Sequence, residues 1–144
     1  GQARMVMDDV DFLRERTTLL TAIQPEMERR LQVQFLSHNT NTSTIGTSAN
    51  YLEVRKFEID AGRMFTNGDN DARRRVAVLG SQVVTNLGYS DPRALVGQQI
   101  KIRGISFEVV GVLKSKGQAS AFQNPDDIVL VPINTARFRL MGTD

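Results

Sequence analysis

The sequence predicts an α+β domain whose mixed, mainly antiparallel sheet carries helices on one face. Three observations support this class. Residues 27–37 alternate between apolar and polar side chains, the period of a strand with one solvated face. Two apolar runs, at 75–79 and 127–131, each lead into apolar residues at helical spacing. Two alternating segments flank Arg103-Gly104, a pattern typical of a β-hairpin. Strand pairs combined with two strand-helix units argue against a doubly wound parallel sheet.

The first half of the chain is predicted to hold a helix and a strand pair. Asp8 and Asp9 precede apolar residues at helical spacing, which predicts a helix over residues 8–18. After the strand at 27–37, residues 40–45 are expected to pair back across a polar turn. Two turns follow, at Ala61-Gly62-Arg63 and at residues 66–70, and Phe65 between them is expected to point inward.

The second half contains the two strand-helix units and the hairpin between them. The strand at 75–79 ends at Gly80 and leads into a helix that Gly88 stops. The hairpin is expected to pair Ile102 with Ile105 and Ile100 with Phe107, and to bury all four side chains. After a polar loop at 115–124, the strand at 127–131 runs into Pro132, which begins a helix carrying Ile133, Ala136 and Leu140.

Composition describes a single globular domain over residues 1–144 and excludes several functions. Hydrophobic residues make up 40% and charged residues 24% of the 144, values ordinary for a soluble fold. No apolar run reaches the roughly 20 residues of a membrane-spanning helix. The net charge of +2 is too small and too scattered for a nucleic-acid footprint, so no nucleic-acid partner is expected. The absence of cysteine excludes disulfides and thiolate chemistry.

The residues that could carry chemistry do not form a catalytic or metal-binding pattern, so we expect no enzyme activity, no cofactor and no metal. A phosphate-cradling loop of the P-loop type is absent, although Gly80-Ser81 opens a helix. His38 is the single histidine and is expected to be solvated. Asp126 and Asp127 enter a strand and should point to opposite faces, which favours turn and strand-end roles. The basic run at 73–75 is expected to be solvated, with an acidic partner or a lipid headgroup as the alternative.

Taken together, the strands and turns resemble the periplasmic core region of MacB-like ABC transporter permeases. The resemblance covers nearly the whole chain and follows the family's order of motifs: Tyr51-Leu52-x-Val54-Arg55, Gly62-Arg63-x-Phe65, Val76-Ala77-Val78-Leu79-Gly80, Leu95-Val96-Gly97-x-x-Ile100-x-Ile102, Phe107-x-Val109-Val110-Gly111-Val112, Asp126-Asp127-x-Val129-Leu130-Val131-Pro132 and Thr135-Ala136-x-x-Arg139-Leu140-x-Gly142. The structural positions that these motifs imply are Gly62, Arg63, Phe65, Gly80, Gly97, Gly111 and Pro132. Two departures stand out: Leu87-Gly88-Tyr89 replaces Leu-Phe-Gly, so Tyr89 is expected to supply the aromatic ring, and the second lobe usual in such ectodomains does not follow the last helix.

The resemblance implies an extracytoplasmic domain between the first two membrane spans of a permease, on the periplasmic side of the bacterial inner membrane. Without the second lobe and the membrane spans, the chain is expected to be an ectodomain fragment or a reduced relative. Its expected partners are the spans of its own permease, a cytoplasmic ATPase and, as a further candidate, a periplasmic adaptor. The expected function is to pass ATP-driven motion to a substrate or to that adaptor in export or efflux.

One loop is the candidate partner contact. Residues 114–124 are small and polar, and Phe122 is their one large apolar side chain, with Gln123 beside it. Two interpretations stay open for Phe122: it folds back onto the core, or it is exposed as an anchor for a partner. The alternative function is a stand-alone small-ligand-binding domain, which should have a deep pocket with converging polar groups.

Overall fold

The computed structural model describes residues 26–117 and 124–141. The helix predicted over residues 8–18 lies outside this described part. Seven strands follow in chain order: β1 (Met27–Phe35), β2 (His38–Thr47), β3 (Ile59–Gly62), β4 (Val76–Leu79), β5 (Gln99–Ile102), β6 (Ile105–Leu113) and β7 (Ile128–Pro132). The helices are short: α1 (Tyr51–Arg55), α2 (Asn67–Asp71), α3 (Ser81–Asn86), a 3-10 helix (Pro92–Leu95) and α4 (Ile133–Thr135), which continues as a π-helical turn (Ala136–Leu140). The α+β class is confirmed.

The seven strands form one mixed sheet that closes on itself. Their order is β3-β6-β4-β7-β2-β1-β5, and β5 pairs with β6 as well as with β1. The pairs β2–β7 and β4–β6 are parallel, and the other pairs are antiparallel. Because β5 pairs with both β1 and β6, the six strands other than β3 form a closed ring, and the sheet has an enclosed inner face and an outer face.

The strand pair predicted at the start of the chain is present, but its first strand ends at Phe35 and its second strand covers His38–Thr47, beyond the predicted 40–45. β1 and β2 pair over their whole length, from Met27 opposite Gly46 to Phe35 opposite His38. The connecting turn contains only Leu36 and Ser37, and Leu36 has a φ of 54°. Two-residue hairpin turns need positive φ, since that backbone matches the twist of the strands. The turn therefore keeps a leucine in a conformation that usually favours glycine or asparagine.

The predicted register of the β5–β6 hairpin is confirmed. Ile100 lies opposite Phe107 and Ile102 opposite Ile105. Ile100, Ile102 and Phe107 are at most 1% exposed, but Ile105 is only half-buried. Ile105 follows directly on the Arg103-Gly104 turn, where solvent reaches one side of the strand pair. Both turn residues have positive φ, 52° and 77°, as the two-residue turn requires.

Each face of the sheet carries its own apolar cluster. The inner cluster draws alternate residues from the strands, for example Ala77 and Leu79 of β4, and is covered by α3, the 3-10 helix and the C-terminal helical turn. The outer cluster takes the other residues of the same strands, such as Val76 and Val78, and is covered by Tyr51 of α1 and by Phe57 and Phe65. The expected inward position of Phe65 is confirmed, since it is 1% exposed. Most helices thus pack on the inner face, and α1 adds a small cover on the outer one.

Two segments predicted as turns prove to be regular structure. Ala61 and Gly62 end strand β3, which pairs with β6 across a bulge. Gly62 has a φ of 74°, and a Cβ there would lie 2.1 Å from the carbonyl oxygen of Val110. The glycine was read as a turn signal, but here it permits close approach of two strands. Residues 66–70 form most of α2, whose N-cap is Thr66.

A buried carboxylate holds α2 against the sheet. Asp69 is 1% exposed, and its side chain accepts hydrogen bonds from the Thr66 backbone N–H at 2.9 Å and from Arg63 and Arg74 at 3.0 Å. Burial alone would raise the pKa of Asp69, but the bonds from Thr66 and Arg63 hold that pKa below its usual value. The carboxylate therefore stays charged and completes a capping box with Thr66.

Candidate partner surface

The loop between β6 and β7 carries the predicted contact residues. Phe122 and Gln123 lie outside the described residues, so their positions stay a prediction. Both ends of the loop are described, at residues 114–117 and 124–127. The ends of the loop and the surface next to them form the described part of the candidate site.

Asp126 fixes the two ends of the loop to each other. It is 5% exposed, and its carboxylate accepts hydrogen bonds from the Ser115 hydroxyl and the Lys116 backbone N–H at 2.8 Å, and from the Gly117 N–H at 3.1 Å. Its own backbone N–H donates to the Asn124 side chain at 3.0 Å. The three hydrogen-bond donors compensate the Asp126 carboxylate for the water that it loses on burial. The loop therefore leaves the domain from a fixed base.

The loop base borders an open groove on the outer face. The groove has a volume of about 460 Å³ and lies between α1 and the start of β7, lined by Tyr51, Val54, Arg55, Phe57, Lys116, Pro125 and Ile128. Most of this lining is apolar, and Val54 is 37% exposed. α1 ends at Arg55, its C-cap Lys56 adopts a left-handed conformation with φ 61°, and the chain then turns Phe57 inward. The groove is thus a consequence of a short helix that covers only part of the outer cluster.

Two cations frame the apolar floor of this groove. The Lys116 ammonium lies 4.1 Å from the centroid of the Phe57 ring and donates a hydrogen bond to the Arg55 carbonyl. The Arg55 guanidinium forms an ion pair with Glu26 at 2.9 Å and lies 5.7 Å from the Tyr51 centroid. Cation–π contacts hold such long side chains along aromatic surface while their charge remains in water. The groove therefore offers apolar surface with the Lys116 ammonium and the Arg55–Glu26 ion pair at its rim.

The phenol of Tyr51 is neutral at physiological pH. Burial raises the pKa of Tyr51 to about 12, the Glu26 carboxylate adds to the increase, and the Arg55 guanidinium opposes it. A phenol with this pKa does not act as a base near pH 7. Tyr51 is therefore a packing residue, stacked on Phe57 with 5.9 Å between ring centroids.

The other residues considered for chemistry are dispersed. His38 is exposed at the start of β2, as expected. Asp127 accepts a hydrogen bond from the Thr42 hydroxyl at 2.7 Å, whereas Asp126 serves the loop, so the two carboxylates have separate roles, as predicted. Within the described ranges, no three His, Asp or Glu side chains are grouped so that they could hold a metal ion. No helix in the described part of the chain is long and apolar enough to cross a bilayer.

Comparison with known proteins decides the family. The profile of the MacB-like periplasmic core domain matches residues 1–144, the whole chain. The chain belongs to this family. The macrolide export ATP-binding/permease protein MacB of Bdellovibrio bacteriovorus is 36% identical over 140 residues, and that of Chlorobium luteolum is 33% identical over 143. These alignments cover 96% and 99% of this chain but 21% of either relative, so the chain spans about a fifth of their length.

Solved structures agree with the MacB-like fold. The periplasmic region of MacB from Actinobacillus actinomycetemcomitans superposes with a TM-score of 0.70 at 16% identity, covering 83% of this chain and 51% of that one. The extracellular domain of the ABC-type transporter YknZ from Gram-positive bacteria gives 0.66 at 20% identity, covering 79% and 55%. At these identities the likeness concerns the fold alone.

Three of the four motif glycines of this MacB-like periplasmic core domain, Gly62, Gly80 and Gly111, are places of close backbone approach. A Cβ on Gly80 would lie 2.2 Å from the Asp126 carbonyl oxygen, and one on Gly111 would lie 2.1 Å from that of Arg63. Gly97 has a φ of 88°, and Pro132 is the N-cap of α4. Tyr89 packs against Phe35 with 5.8 Å between ring centroids, which places an aromatic ring after α3 as expected.

Sequence reasoning did not identify the groove as a site. Tyr51 and Val54 were noted only as parts of a family motif, and Lys116 only as part of a polar loop. The available signal was an apolar Val54 in a helix too short to bury it. That signal becomes visible only when α1, Phe57 and the loop base are brought together in space.

Proposed function

We propose that this domain is the periplasmic part of a MacB-like ABC transporter permease that passes ATP-driven motion to a substrate or an adaptor protein. In this proposal it lies between two membrane spans of its own permease, on the periplasmic side of the bacterial inner membrane. A cytoplasmic ATPase supplies the energy. The observation that carries the proposal is the match of the family profile along all 144 residues.

The packing of the domain supports a mechanical role. A transmitter needs a body that moves as a unit, because force applied to a soft domain is lost in internal deformation. The sheet closes through β5, and apolar clusters lie on both of its faces. Catalytic side chains are not required for this role.

The groove and the loop beside it are the proposed partner surface. We assign Phe122 and Gln123 to the contact because their loop leaves the domain at Lys116 and returns at Pro125, two residues that line the groove. The partner would insert an apolar side chain against Val54 and Phe57, and its acidic groups would meet Lys116. Desolvated anchors surrounded by polar contacts are the usual form of a binding hot spot.

The alternative, a stand-alone small-ligand-binding domain, is less well supported by the geometry. Such a site is concave, buries most of its ligand and aims several polar groups inward. The groove is instead open to solvent, and its charged groups lie at the rim. The clefts beside Leu36 and beside Pro92 are smaller, about 270 and 140 Å³.

Substituting Phe122→Ala tests the partner surface. We expect the melting temperature to stay within about 2 °C, since an exposed anchor contributes little to folding, while affinity for the adaptor protein falls about tenfold. Calorimetry gives the first value and surface plasmon resonance the second. Leu36→Ala is the matched control. Leu36 is 71% exposed and follows β1 at the end away from Glu26 and the groove, so this substitution should change neither the melting temperature nor the affinity. A clear fall in melting temperature would show that Phe122 packs on the core, and no change in either quantity would make the loop a mere connector.

A further inference from the structure

A second surface lies around Phe138, on the inner-face side of the domain. Phe138 is 62% exposed in the π-helical turn Ala136–Leu140. Arg137 and Arg139, on either side of it, are also exposed, whereas Ala136 and Leu140 belong to the inner cluster. The turn thus buries its two ends and presents three consecutive large side chains to solvent.

A fourth residue, Arg73, completes this surface from a different part of the chain. Its guanidinium lies 3.7 Å from the centroid of the Phe138 ring. Arg73 reaches this position with a left-handed backbone, φ 53°. The segment before β4 is tied to the helical turn by a hydrogen bond from the Thr135 hydroxyl to the Arg74 carbonyl, 2.7 Å, and by one from the Asn134 N–H to the Asn70 side chain, 2.9 Å. We call the set Arg73, Arg137, Phe138 and Arg139 the arginine surface.

The positive charge of the arginine surface is not neutralised within the described residues. The neighbouring Asp69 is occupied by Arg63 and Arg74. None of the acidic groups in residues 26–117 and 124–141 forms an ion pair with Arg73, Arg137 or Arg139. Basic residues in the last turn of a helix interact favourably with its dipole, which accounts for part of the charge. The dipole gives no reason for an exposed phenylalanine between them.

We propose that the arginine surface binds an acidic segment of a partner protein that carries an apolar or aromatic side chain. Carboxylates of the segment would pair with Arg137 and Arg139, and its apolar side chain would pack on the exposed part of Phe138. Arginine binds carboxylates in a fixed two-pronged geometry and stacks on rings, which suits recognition of a protein. A bilayer attracts basic residues without demanding such geometry. In the arginine surface the Arg73 guanidinium already lies against the Phe138 ring. This defined geometry favours a protein partner over anionic lipid.

The test uses a fluorescent synthetic peptide of about twelve residues with alternating glutamate and leucine, added to the full 144-residue chain. Fluorescence anisotropy should show saturable binding that weakens as salt rises from about 50 to about 300 mM. Arg137→Glu with Arg139→Glu should lower the affinity at least tenfold. Phe138→Ala should lower it about threefold at an unchanged melting temperature, which separates direct contact from a role in folding.

A second charge-reversed variant provides the control. Arg30→Glu with Lys101→Glu makes the same change in net charge on the outer face, where both side chains are exposed on the paired strands β1 and β5. This variant should bind the peptide like the parent chain. An equal loss in both double variants, or no saturable binding to the parent chain, overturns the proposal. Tight binding to vesicles of phosphatidylglycerol that is lost on Arg137→Glu with Arg139→Glu, without peptide binding, would assign the surface to the membrane instead.

Discussion

Replacing Ile100 with aspartate is expected to destabilise the domain by about 4 kcal/mol, enough to unfold much of it at 37 °C. Ile100 is 1% exposed on β5 and lies opposite Phe107 inside the closed sheet. A carboxylate there is desolvated, and the neighbouring inner-cluster residues provide no cation for it. β5 also joins β1 to β6, so damage at this position opens the sheet. Urea denaturation followed by circular dichroism measures the change.

Lys101→Asp is the matched control for this substitution. Lys101 is the next residue on the same strand, but it is exposed, so the same new side chain remains hydrated there. We expect a loss below about 1 kcal/mol. Equal effects at the two positions would contradict the register, because a strand with one buried face cannot tolerate a charge equally on both faces.

Gly62→Ala is expected to cost about 3 kcal/mol, a large effect for one methyl group. Two penalties combine at this residue. Its φ of 74° is unfavourable for any residue with a Cβ, and that Cβ would lie 2.1 Å from the Val110 carbonyl oxygen and 2.9 Å from the Gly111 Cα. Both neighbours are backbone atoms in the bulged pairing of β3 with β6, so they cannot move aside without breaking that pairing.

Two other glycines separate these penalties. Gly104 has a φ of 77° but open space around the position of its Cβ, so Gly104→Ala isolates the conformational cost, about 1 kcal/mol. Gly68 lies in the first turn of α2 with neither problem, so Gly68→Ala should change the stability by less than about 1 kcal/mol in either direction. Melting curves that rank the three variants in any other order would contradict the close approach at Gly62.

The parts of the fold that the sequence predicted are those governed by local periodicity. The β5–β6 hairpin followed from two alternating segments around a turn that accepts positive φ, and the β4-α3 unit followed from an apolar run that ends at Gly80. In both cases the pattern that predicts the element lies within a short stretch of consecutive residues. The same holds for Phe65, an aromatic side chain between two predicted turns.

The remaining features depend on residues distant in sequence. Strand β3 is four residues long and was taken for a turn, because the role of Gly62 as a contact with Val110 exists only once β6 lies beside it. The closure through β5 depends on a second pairing partner, β1, about 70 residues away. The two ion pairs that Asp69 forms with Arg63 and Arg74 likewise cannot be predicted from the sequence, where these residues belong only to predicted turns and a basic run.

The candidate site was predicted less completely than the fold. A polar loop with one aromatic residue pointed to Phe122 and Gln123, and the ends of that loop border the groove. The groove itself combines α1, Phe57 and the start of β7, which no sequence window contains. Arg73 belongs to the basic run at 73–75, which was expected to be solvated, and its contact Phe138 lies some 65 residues further along the chain.

The central proposal is that this domain moves as a rigid body when the transporter to which we assign it hydrolyses ATP. Electron paramagnetic resonance on the full-length permease, reconstituted in a bilayer with its ATPase, tests this directly. This chain contains no cysteine, so Val54→Cys and Lys101→Cys give two unique spin-label positions within the domain.

Two quantities are compared between the nucleotide-free and vanadate-trapped states. The distance between the two labels should stay constant, since both lie on one packed body. Relaxation of the Val54→Cys label by a nickel chelate attached to lipid headgroups should change, because the domain moves relative to the bilayer. Unchanged relaxation in the trapped state, or a change in the distance between the two labels instead, would contradict the account.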